Sequence, residues 1–189
     1  MAVTPDEPEP ELFRQAVASL SSVRPRPEIE LGAVRAPQRL APWAHAVSAE
    51  VTGSAGELAS GRLVLLHDPE GEPAWAGVLR LVVYVRAELD VELATDPLLP
   101  EVGWSWLTEA LETCGAIHSS LGGTVTQTSS ARFGDIAGPA RTDDLELRAS
   151  WTAHDAELAA HGAAFCELLA STVGLPPVGV TLFGQRYGV

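Results

Sequence analysis

At 189 residues and a mean hydropathy of +0.12, the chain has the length of one domain and enough apolar content to bury a core without metal or disulfide. Its formal net charge is −13, and its 12 basic residues are all arginines scattered along the chain, which argues against direct contact with a nucleic-acid backbone. Lysine is absent, which excludes Schiff-base chemistry, a Ser-x-x-Lys dyad and a phosphate-loop lysine.

Residues 1–10 are acidic and proline-rich and read as a disordered tail. Leu12, Phe13, Ala16, Val17 and Leu20 then recur at helical spacing until the Arg24-Pro25-Arg26-Pro27 stop. Residues 28–31 read only as a short extended piece before a loop holding Pro37 and Pro42. Trp43, His45, Val47, Ala49 and Val51 alternate, as a strand with one buried face does. The clearest hairpin joins residues 62–66 to 75–88, whose second strand sets Leu79, Leu81, Val83 and Val85 against Arg80, Tyr84 and Arg86.

A helix is predicted from about Pro100 to His118, with Gly103, Trp106, Leu107, Ala110, Leu111 and Cys114 as its apolar stripe and Gly122-Gly123 as its end. Asp96 before Pro97 suits its N-cap. Two strands follow, over residues 124–133 and 145–151, and a last helix carries Leu158, Gly162, Phe165, Cys166, Leu169 and Val173. The order α-β-β-β-α-β-β-α implies an α+β fold: a five-stranded antiparallel sheet with helices packed on one face and the other face open. The single domain is expected over residues 11–175, with 176–189 as a tail.

Three motifs carry a family resemblance: APQRLAPW at 36–43, GRLVLLHDPEG at 61–71 and DPLLPEVGWSWL at 96–107. On these the chain resembles an uncharacterised actinobacterial domain-of-unknown-function family, a resemblance that covers roughly residues 11–175 and implies no activity. The element order is also similar to that of the small acidic chaperones of type III secretion, which dimerise. Fold alone does not fix function.

Cys114 and Cys166 sit in apolar stripes, and the acidic start lacks the apolar core of a signal peptide, so both read as reduced core thiols of a cytoplasmic protein. No stretch is long and apolar enough for a membrane span. Cys114 and His118, one helical turn apart, would form a dyad only if the thiol escaped its apolar stripe. His154, Glu157 and His161 would share one side of the last helix but lack further ligands. His67-Asp68 belongs to turn chemistry, and His45 reads as a hydrogen-bonded core histidine. No catalytic residue, metal site or cofactor is assigned.

The candidate binding residues lie in two places. Trp106 is expected in the core and Trp104 on the rim, where Trp104 flanked by Asp96 and Glu101 would anchor a partner. On the open sheet face Arg62, Arg80, Tyr84, Arg86, Thr126, Glu146 and Arg148 would gather, with Arg39 serving the same surface from its rigid loop. The leading expectation is a non-catalytic adaptor or chaperone-like module that binds another protein or a second copy of itself as a homodimer, with no nucleic-acid or membrane contact. The alternative is a small-molecule binder or enzyme with a cleft near the 96–107 motif. There Asp96 or Glu101 would act as base, and Arg39 or Arg86 would hold an anion.

Overall fold

In the computed structural model, which describes residues 8–53, 56–136, 138–139 and 141–178, three helices cover one face of a six-stranded antiparallel sheet. The expected tails fall mostly on residues 1–7 and 179–189, outside the described residues. The strands are β1 (Ile29–Ala33), β2 (Trp43–Gly53), β3 (Gly56–Glu72), β4 (Gly77–Leu89), β5 (His118–Ala131) and β6 (Arg141–Ala153). The helices are α1 (Glu11–Ser21), α2 (Leu99–Thr113) and α3 (Ala159–Thr172). Spatial order is β1-β2-β3-β4-β6-β5, so α2 carries the chain from β4 past the future place of β6 to the sheet's far edge.

The sheet has six strands, not the expected five. Residues 29–33 pair with Val47–Val51 through a full five-residue register, from Ile29 opposite Val51 to Ala33 opposite Val47. Their sequence alternates too briefly, with Gly32 inside it, for periodicity alone to mark a strand.

Strand β4 shows why the sheet has one apolar face: Leu79, Leu81, Val83, Val85, Ala87 and Leu89 are all buried, and the residues between them are not. Above them lie Phe13, Ala16 and Leu20 of α1, Leu107, Ala110 and Leu111 of α2, and most of α3. α3 is buried nearly all round, with Leu158, Ala164, Phe165, Leu168 and Leu169 at 1% exposure or less. Among the described residues a buried hydrogen bond between two side chains runs from the Trp151 indole Nε1, which donates to His161 Nδ1 at 3.0 Å.

The opposite face is less open than expected. Ala46, Val64 and Leu66 form a small second cluster, covered by Val34, Ala36 and Ala41 of the loop before β2 and by Trp75. This is why β3 is buried without a break from Leu63 to His67: both of its faces are dry at that end. The rest of the outer face carries the charged and hydroxyl side chains.

The motif helix is shorter than expected at its C-terminal end, closing at Thr113 rather than His118. Gly122 and Gly123 do not end it but lie within β5. A Cβ on Gly123 would stand 2.3 Å from the Arg148 carbonyl oxygen, so only glycine lets β5 approach β6 there. A bulge between Ser119 and Gly122 adds to the irregularity of this strand's start.

Candidate functional site

Cross-strand register brings the expected outer-face residues together. Ser48, Arg62, Tyr84, Arg148 and Thr124 form one row across β2, β3, β4, β6 and β5. The adjacent row is Glu50, Ser60, Arg86, Glu146 and Thr126. Tyr84 stands near the middle, half-buried, with the Arg148 guanidinium 5.4 Å from its ring centroid. Arg148 also bonds Glu146 at 2.8 Å, and Arg86 bonds Asp144 at 3.0 Å.

The electrostatics follow from these contacts. Partial burial, followed by the Glu146 carboxylate beside it, pushes the Tyr84 hydroxyl above its ordinary pKa, so it stays a neutral donor. The hydrogen bond to Asp144 raises Arg86 above the usual arginine value. Arg62 is exposed and takes part in none of the ion pairs found among the described residues. Beside it a shallow depression of about 500 Å³ is lined by Val34, Ser48, Glu50, Ser60, Arg62 and Tyr84.

Arg80 lies on the same face but has a different role. Its guanidinium donates to the Ser120 carbonyl, Thr152 Oγ1 and Ser150 Oγ at 3.0, 3.0 and 2.7 Å. Burial lowers its pKa, and its bonds to neutral oxygens brace the irregular start of β5 against β6. It is a strut between strands.

The other expected residues are dispersed. Arg39 is exposed in the loop over the second cluster, with a left-handed φ of 71°. Asp96 lies past the opposite end of β4, where its Oδ1 accepts from the Leu98 amide at 2.9 Å. It forms the turn before α2 instead of the expected N-cap, which is Leu98. Glu101 is exposed in the first turn, where it suits the helix dipole. Asp96 and Glu101 are therefore separated from Arg39 by the length of the sheet, and Arg86 belongs to Asp144.

Both motif tryptophans are half-buried. The buried residues of α2 are Leu99, Gly103, Leu107, Ala110 and Leu111, a stripe centred on Gly103 and Leu107. At about 100° per residue, Trp104 and Trp106 flank that centre on opposite sides. Both are half-buried against the main core, and Trp106 also packs on the cluster of Leu89, Ala94, Leu99 and Leu145. Trp106 is thus not fully buried, as Trp104 is not.

The histidine and cysteine pairings resolve into separate environments. His118 begins β5, with its Nδ1 2.8 Å from the Ala116 carbonyl, while Cys114 caps α2 and is raised in pKa by burial. Cys166 is more deeply sealed, its thiol pushed up to about 12 by burial. Of His154, Glu157 and His161, only His161 belongs to α3, and burial lowers its pKa to about 4. Among the described residues no three His, Cys, Asp or Glu side chains converge as a metal site.

His67 is buried in β3, stacked on Phe13, with Nδ1 2.9 Å from the Val78 carbonyl and Nε2 without a hydrogen-bond partner in the structure. His45 likewise leaves Nε2 without a hydrogen bond, so its expected core bond is not formed. His45 also lines a hollow of about 350 Å³ with Leu20, Val23, Leu31, Val47 and Phe165. Sequence reasoning missed this hollow because it arises where α1, α3 and the β1–β2 edge meet. It missed the Trp151–His161 bond as well, although the apolar neighbours Leu158, Gly162 and Phe165 were a usable sign that His161 faces inward.

The chain belongs to a protein family of unknown function, DUF3000, whose model matches residues 9–181. The match bears out the resemblance to a domain-of-unknown-function family and brings no activity with it. No curated protein and no solved structure matches the chain. Among the described residues no helix is long and apolar enough to cross a membrane.

Proposed function

We propose that this protein is a non-catalytic, cytoplasmic protein-binding module, an adaptor or chaperone-like domain that recognises a protein partner through the outer sheet face. The observation that carries the reading is the Arg62–Tyr84–Arg148 row at the centre of that face. A Tyr with a pinned ring and flanking guanidiniums is the composition of a protein-recognition surface. Arg62, without an ion pair among the described residues, is ready for a partner's carboxylate. Two free cysteines fit a reducing compartment.

A photo-crosslinking residue placed at Ser60, beside this row, tests the reading in intact cells. It should trap one defined protein, and Arg62→Glu or Tyr84→Ala should abolish the adduct while the protein stays folded. Adducts that are diffuse, or indifferent to both substitutions, would sink it.

The hollow beside His45 favours a second reading, a binder of a small apolar molecule, since its volume reaches the lower range of ligand sites. That reading shifts the small-molecule site away from the 96–107 motif, whose carboxylates stand apart from Arg39. Ligand-dependent thermal stabilisation that Val47→Trp abolishes would support it; no stabilisation across a library of apolar fragments would count against it.

A further inference from the structure

We propose that the free edge of β5 is a self-pairing surface, through which two copies of the chain join antiparallel into one continuous sheet with six strands from each. This names a second copy as a partner at a surface distinct from the Arg62–Tyr84–Arg148 row. It goes beyond the proposed function and stands or falls separately from it.

β5 is a 14-residue strand at the sheet's edge, paired among the described residues on one side only, with β6. From Gly122 to Ala131 every residue is exposed except Val125, which is half-buried. No backbone hydrogen bond from outside the sheet reaches this strand among the described residues. Apart from the Ser120 carbonyl, which the Arg80 guanidinium occupies, such an edge presents a row of unused amide and carbonyl groups. Proteins usually blunt it with charge, proline or short length, and β5 has none of these beyond the bulge at its start. Residues 119–131 contain no charged side chain and no proline, in a chain whose net charge is −13.

The same stretch is compatible with itself. In a two-fold antiparallel pair centred at Val125, Thr124 of one copy faces Thr126 of the other, and no charged side chain lies between residues 119 and 131 of either copy. Ile117 and Phe133 stand equally far from Val125 along the chain, and both are conspicuously exposed, at 65% and 82%. The pairing therefore brings Ile117 of each copy to the Phe133 end of the other. The one-residue bulge after Ser119 shifts this meeting by no more than an aromatic ring can span. Two separate features, freedom from charge and symmetric apolar ends, thus select a second copy over an unrelated strand.

Sedimentation of the full chain across a concentration series should show a species of twice 19.9 kDa. Amides of residues 122–131 should exchange more slowly at high than at low protein concentration, a measurement that needs no mutation. Thr124→Asp with Thr126→Asp sets like charges across the dyad, and should weaken the dimer about tenfold or more with circular dichroism unchanged. A protein that is monomeric at every concentration, or whose β5 amides exchange at one rate throughout, overturns the proposal and leaves the sheet-face reading untouched. A dimer that survives the aspartates but is lost with Arg62→Glu would also overturn it, since the second copy would then sit on the outer face.

Discussion

The two faces of the sheet share one set of strands and differ in nearly everything else. On the helix face, alternate residues of β4 and β6 vanish into a core whose main polar event is the Trp151–His161 bond. On the outer face the residues between them are Tyr84, Arg86, Glu146 and Arg148, tied by exposed ion pairs and one cation–π contact. The first face stabilises the fold, because removing large apolar area from water contributes far more than pairing charges that water already solvates. The second face is left free to vary without unfolding the protein, and a partner surface needs that freedom.

The largest test of this contrast is Trp151→Ala. Trp151 is 0% exposed in the middle of the core, so its loss should cost about 3–5 kcal/mol, read as a fall in the urea midpoint. A cost under about 1 kcal/mol would mean that the helix face is not the source of stability.

His161 sharpens the contrast through pH. Burial holds its pKa at about 4, against an ordinary value near 6.5, so it is neutral in the folded protein. The unfolded chain takes up the proton first as pH falls. Stability from this residue is therefore complete above about 6.5, declines as pH falls toward about 4, and changes no further below that. The decline should amount to roughly 3 kcal/mol. His161→Gln keeps an acceptor for the Trp151 indole but does not titrate, so its melting temperature should fall less over that pH window than the wild type's. Parallel pH profiles would remove His161 from the account.

Trp104 and Trp106 probe the border between helix layer and solvent. Both are half-buried, so each substitution to alanine should cost about 2 kcal/mol, short of a fully buried tryptophan. A clear inequality in chemical denaturation would show that one of them carries the packing of α2.

Strong, long periodicities were the legible part of this fold. The alternation of β4 and the stripes of α1 and α3 led directly to an α+β sheet with helices on one face. β1 was illegible because five residues around Gly32 acquire strand character only by pairing with β2. Gly122 and Gly123 misled because glycine signals a break in isolation, whereas here it allows close approach to β6. The apolar spacing through Cys114 continued past the real end of α2 and displaced the apparent stripe toward Trp106. Of the candidate site, the Arg/Tyr face was readable from alternation once the strands were assigned. The separation of Arg39 from Asp96 was not, because it depends on which end of the sheet each connection occupies.

Tyr84→Ala should have the smallest effect on stability and is the most informative about the outer face. The substitution removes a half-buried ring and the cation–π contact with Arg148, a loss of about 1 kcal/mol at this exposure. The Arg148–Glu146 and Arg86–Asp144 pairs should persist, because neither is built through the ring. Their arginines are 65% and 52% exposed, so the pairs themselves contribute at most about 1 kcal/mol each. The variant should therefore melt within a few degrees of the wild type while losing the partner adduct. If Tyr84→Ala instead destabilised the protein as much as Trp151→Ala, the outer face would be a second core in disguise. Its arginines would then be struts, as Arg80 is, and the division between the two faces would fail.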